Sequence, residues 1–388
     1  MRVRAVLVPC CLWWCGAAPA QAQTAHAGPD PYTNGDPAAI AKAGYVSYGP
    51  FPFGARHTTK DVEELLGTEP LIWIETPHFR LGCALPAVEL TKGQEWSVEW
   101  LASVQRELKA LRSVLPKVRV QSKQLDPWLR AHLFAHRLEA LYAEVRGNLG
   151  FVEPTDDEVE AHRAGTGHGR YLGMDEKFAV LLLQRSSSHA RYTRAFQGQE
   201  MADPIRYDDA VFGSMYWGGS EETADGLLRS DLAMHTHVVF NVAHNLYSGC
   251  LGSARELPPW LATGLSHWHA RRVSPRFPVY DRRDDRDHDP RSLFWRWDER
   301  VAGMAKNGTF EPMATFVERV NAGGYRIEQH MQCWSLVDFL LSTRADATFR
   351  FVRLAKQSGL SRQHGFEQAF GCTYEEIDAA WLRWLRGK

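Results

Sequence analysis

Five histidines fall within a short stretch, at His235, His237, His244, His267 and His269, and imidazoles at helical spacing are common zinc ligands. Two histidines four residues apart share one helix face and can grip one ion, while a glutamate beside the first activates the bound water as general base. No His-Glu pair occurs anywhere in the chain. His235 and His237 would lie about 200° apart on a helix. His237 and His244 would share a face but stand about 10.5 Å apart along the axis, too far for one ion. His267 can join His237 only across a helix pair, which supplies two ligands and leaves a third unidentified. Nucleophilic chemistry has thinner support. Ser266 beside His267, and the run Ser186-Ser187-Ser188-His189, place hydroxyls next to imidazoles without a nucleophile elbow.

The elements that must position these residues are legible from periodicity. Leu71 to Glu75 and His78 to Cys83 alternate and are β-rich, with a Thr-Pro break between them. Trp96 to Leu115 and Pro127 to Leu149 carry apolar residues at three- and four-residue spacing, predicting two long helices. Asp156 to Gly169 is charged and contains glycine, predicting a loop. Lys177 to Gln184 and Asp209 to Trp217 are short apolar runs, with a helix between them around His189 to Phe196. Beyond residue 225, helical patterns follow one another at Leu227 to Tyr247, Pro258 to Arg272, Ser292 to Lys306, His330 to Ser342, Phe349 to Gln357 and Tyr374 to Leu385. Pro275 to Pro290 reads as a charged surface loop. Strands concentrate in the first half and helices in the second, an α+β arrangement.

Four segments, taken in order, carry a resemblance: IETPHFRL; the helix LAMHTHVVFNVAHNL; LPPWLATGLSHW; and QCWSLVDFLL with FEQAFGCTYEEIDAAWLRWL. Together they resemble the secreted peptidase-MA-like domains of the gluzincin clan, over roughly residues 70–387. The resemblance implies a zincin-like fold, a small mixed sheet with long helices followed by a mainly helical second lobe. It also implies a first helix bearing His-Glu-x-x-His and a second, opening Trp-Leu-x-Glu-Gly, that supplies a third zinc ligand.

At the chemical positions this chain departs from the pattern. Trp260-Leu261-Ala262-Thr263-Gly264 puts Thr263 where the ligand glutamate belongs. With His237 as the second histidine, Ala233 replaces the first and Met234 replaces the general base. One imidazole cannot hold zinc and a thioether cannot accept the proton. The expectation is a pseudopeptidase, without cofactor, whose cleft binds a peptide or envelope component. The alternative is an active zinc-dependent hydrolase with a non-standard site that uses His237 and His267.

The start of the chain reads as an export leader over residues 1–22, with Arg2 and Arg4, an apolar stretch from Ala5 to Gly16, and a small-x-small site at Ala20-Gln21-Ala22. A retained anchor and lipid attachment at Cys15 are the other readings. Residues 23–68 read as an extended lead-in and 69–388 as the domain, with a sheet-containing lobe to about 224 and a helical lobe after it. The mature chain would be periplasmic or secreted, with no membrane-spanning segment. The formal net charge of −1 leaves no basic excess for nucleic acid. Cys83, Cys250, Cys333 and Cys372 would remain in an oxidising compartment, as disulfides of undetermined pairing or as buried free thiols.

Overall fold

The computed structural model describes residues 28–67, 69–90, 98–163, 168–280, 294–317, 325–357 and 359–387. The segment read as an export leader, with its expected cleavage site and Cys15, and most of the charged loop from Pro275 to Pro290, lie outside the described residues. Among the described residues no helix is long and apolar enough to cross a membrane.

A five-stranded mixed sheet is built from β1 (Ile72–Glu75), β2 (Phe79–Cys83), β3 (Phe178–Leu183), β4 (Ile205–Asp209) and β5 (Ser214–Ser220), in the order β1-β2-β3-β5-β4. β1 and β2 form an antiparallel hairpin in which Ile72 faces Cys83; β2, β3 and β5 run parallel; β4 closes one edge antiparallel to β5, with Ile205 opposite Gly218. The Thr-Pro break is the hairpin turn. It is held from outside, because Glu139 accepts hydrogen bonds from the Thr76 hydroxyl at 2.5 Å and the His78 N–H at 3.0 Å.

The run FAVLLL of β3 is apolar throughout because both of its faces are covered, as parallel strands require. Phe178, Val180 and Leu182 join the main core, while Ala179, Leu181 and Leu183 join a smaller one on the opposite face, under Phe53, Leu66 and Tyr192. This two-residue alternation assigns every side chain of the strand to one core or the other.

Among the described residues, nine longer helices complete the fold: α1 (Val98–Val114), α2 (Pro127–Leu149), α3 (Ser186–Gln197), α4 (Asp231–Gly249), α5 (Pro259–Val273), α6 (Trp297–Asn307), α7 (Ile327–Ala355), α8 (Arg362–Phe370) and α9 (Tyr374–Arg386). α2 starts on Asp126, whose carboxylate accepts from the Leu129 N–H, and stops at Gly150 in the left-handed region at φ 59°. Both signals are in the sequence, and the expected bounds match. The two helices expected at His330 to Ser342 and Phe349 to Gln357 both form, as the two arms of α7, which meet at a kink where Arg344 leaves helical geometry at φ −148°.

Two expectations are corrected. The stretch read as a loop from Asp156 contains a helix, Asp156–Arg163. Thr155 and Glu158 cap it reciprocally, and three acidic residues in its first turn suit the positive end of the helix dipole. The lead-in is also not merely extended. It includes the helix Thr59–Leu66, and it is fastened to α2 where Asp30 contacts His132 at 3.2 Å while the Tyr45 ring stacks on the same imidazole. The main core is continuous from the sheet face through α2, α4 and α5 to α7 and α9, so the sheet-containing and helical halves share one apolar interior.

Candidate functional site

α4 begins at Ser230, whose hydroxyl accepts from the Ala233 N–H at 3.4 Å, and runs with apolar residues on all sides because it is enclosed on all sides. α5 opens on Pro259 and ends with Arg271 and Arg272, the charge order that suits a helix dipole. α4 packs on α5, and α5 packs on α7. The second contact is close because position 264 is glycine: a Cβ there would stand 2.5 Å from the Cys333 carbonyl oxygen and 2.5 Å from Val337 Cγ2.

Ala233 and Met234 are fully buried in the main core. Thr263 and His267 are buried on α5, and His237 is half-buried on α4. Facing His267 from α4 is the ring of Phe240, one turn beyond His237, with centroids 4.7 Å apart. His267 Nε2 lies 3.1 Å from Nδ1 of His330 on α7, and the Trp297 indole packs at 4.8 Å. Burial, with the neighbouring His330 and Arg271 adding to it, holds the His267 imidazole well below its ordinary pKa. A neutral His267 ring can exchange one hydrogen bond with His330 across these facing nitrogens.

His237 sits in a different chain of contacts. Its Nδ1 is 3.1 Å from the Asn241 side-chain amide, which also donates to the His237 carbonyl at 2.9 Å. Asn241 Oδ1 in turn accepts from Arg206 of β4 at 2.7 Å. An amide nitrogen can only donate, so Nδ1 accepts and the neutral ring carries its proton on Nε2. Arg206, Asn241 and His237 thus tie the sheet edge to α4, and the Arg206 guanidinium lies over Phe240 at 5.9 Å. Among the described residues, no three His, Cys, Asp or Glu side chains are grouped so as to hold a metal ion.

The remaining candidates have ordinary partners. The Ser266 hydroxyl donates to the Ala262 carbonyl at 2.7 Å, a back-bond within its own helix. Ser188 donates to Glu69 at 2.7 Å, and His189 is buried, its pKa lowered by that burial to about 4. His269 contacts the Tyr247 hydroxyl at 3.1 Å, and His244 the Ser248 hydroxyl at 3.3 Å. Of the two readings for the cysteines the structure carries the unbridged one: none of Cys83, Cys250, Cys333 and Cys372 joins a disulfide among the described residues. Cys83, Cys250 and Cys333 are buried on separate elements, in β2, just after α4 and in α7.

A cleft of about 350 Å³ runs along the outer edge of β4. Residues 205–208 form one wall, and His244, Asn245 and Ser248 of α4 form the floor. Asp203, Asp208 and Glu256 stand around it. Of the residues lining this cleft, the sequence singles out His244, as one of the clustered histidines. β4, IRYDD, is a half-exposed edge strand, too polar to read as one. Comparison of the chain with protein-family models, with curated proteins and with solved structures gives no match.

Proposed function

We propose that this is an exported, catalytically inactive relative of the zinc peptidases that binds an extended peptide, or a peptide-bearing envelope component, along β4. The observation that carries the reading is the sheet edge. β4 is the last strand in the sheet order, paired with β5 on one side, and its other side borders the cleft over α4. A strand edge offers a row of N–H and C=O groups to an incoming chain, and strand addition needs no metal. The residue types at the chemical positions support inactivity, since Ala233, Met234 and Thr263 replace two ligands and a base. The alternative, a zinc hydrolase using His237 and His267, would need a third ligand beside them.

Carboxylates outnumber cations around the cleft, with Asp203, Asp208 and Glu256 against Arg206, already engaged by Asn241, and Lys356, which donates to the Ser248 carbonyl. Peptides carrying lysine or arginine are the better fit. The test is hydrogen exchange of the mature protein with and without a tryptic digest of a denatured protein, whose peptides end in those residues. Protection should appear at residues 205–209, and unchanged exchange there would sink the reading. One zinc per chain in protein purified without chelator, lost in His237→Ala, would establish the hydrolase instead.

A further inference from the structure

A second cavity lies elsewhere, where the start of α4 and the end of α5 meet α1. It measures about 710 Å³, within the range of small-molecule sites. Its walls differ in character. Trp100, Leu232 and Phe277 make one side apolar, while Arg106, Arg272 and Arg276 line it with positive charge against a single carboxylate, Glu99. Arg272 is engaged by Glu144 and lies over Trp268 at 4.3 Å. Among the described residues neither Arg106 nor Arg276 makes an ion pair.

The fourth observation is His235, which also lines the cavity. It is only 8% exposed, packed between Trp100 and Phe134, and its Nδ1 makes no hydrogen bond. A buried polar atom left unmatched costs about 1–3 kcal/mol, so such atoms in native proteins call for an explanation. Here the unmatched nitrogen belongs to a ring that forms part of the cavity wall. The helix start itself is not the attraction, because Ser230 caps it and the Asp231 carboxylate occupies its first turn.

We infer that this cavity binds a small amphipathic anion, with a carboxylate or phosphate head on Arg106 and Arg276 and an apolar chain or ring against Trp100 and Phe277. Guanidinium groups suit both heads through paired charge-assisted hydrogen bonds. The site does not depend on the peptide cleft, which uses the other ends of the same two helices.

Isothermal titration of the mature protein with decanoate and with decyl phosphate, each below its micelle-forming concentration, tests the assignment. At least one of them should saturate a single site. The double variant Arg106→Gln/Arg276→Gln should weaken that binding about tenfold or more, as expected when charge-assisted contacts are lost. Arg194→Gln, at an exposed ion pair with Glu200, should not weaken it. Whichever amphiphile binds more tightly identifies the head. Inorganic phosphate and decanol should both bind more weakly, one lacking the apolar body and the other the charge. No saturable binding of either amphiphile, decanol binding as tightly as they do, inorganic phosphate matching decyl phosphate, or a double variant with unchanged affinity would each overturn the proposal.

Discussion

Asp231 is fully buried, and its Oδ2 accepts from Arg137 at 3.1 Å while Oδ1 stands 3.9 Å from Arg130. Arg137 also binds Glu107 of α1, and Arg130 binds Glu221 at the end of β5 and the Pro86 carbonyl. Two arginines of α2 thereby gather α1, the sheet and the start of α4 around one set of buried charges. Such a network adds little net stability over apolar packing, yet losing one member strands its partners in a medium that cannot solvate them. Asp231→Ala is expected to lower unfolding stability by about 3–5 kcal/mol, measured as the shift in urea unfolding followed by tryptophan fluorescence. A loss under about 1 kcal/mol, the scale of an exposed pair, would mean that Glu107 and Glu221 suffice for the two arginines. The same contrast separates His237 from His267. One is held through Asn241 by a polar chain reaching the sheet edge, and the other by aromatic rings and a second imidazole.

At the scale of elements, the contact between α5 and α7 turns on Gly264. Adding one methyl group there must displace the backbone of α7 at Cys333 as well as the Val337 side chain. Gly264→Ala is expected to cost about 1–3 kcal/mol despite alanine's better helix propensity, since overpacking outweighs a gain of about 1 kcal/mol; an unchanged or raised unfolding midpoint would mean that the helices separate easily. This glycine was visible in the sequence only as part of a resemblance, and its physical reason appears once α7 lies across it. The elements that read correctly carry their own signals. α2 has Asp126, Pro127 and Gly150 at its ends, and β3 is a continuous apolar run. Those that did not read, β4 and the helix from Asp156, are short, polar and half-exposed, so their conformation depends on the neighbouring strand or on a cap rather than on a buried face. The candidate site was legible to the same extent. The two helices could be placed, but the pairing of His267 with His330 could not, because those residues meet only after α5 and α7 have packed.

At the scale of the whole molecule, histidines set the response to acid. His57, His189 and His269 each have a pKa lowered by burial to about 4, and burial holds His235 and His267 well below the ordinary value. Between pH 6.5 and about 4 the unfolded chain binds more protons than the folded one, so stability is fully present above pH 6.5 and is lost as the pH falls through that window. Urea midpoints should therefore hold near their full value down to about pH 6.5 and decline from there to pH 5, and midpoints that stay constant or rise across that lower range would show that these rings gain protons without unfolding. The cysteines divide differently. Burial pushes the thiols of Cys83 and Cys250 up to about 11, which keeps them protonated and out of reach, and Cys333 is buried in α7. Cys372, on the turn between α8 and α9, is only half-buried, and the Arg344 guanidinium lies 3.2 Å from its sulfur. Of these four, Cys372 is thus the natural attachment point for a fluorophore or spin label on the folded chain, with no substitution needed to create it.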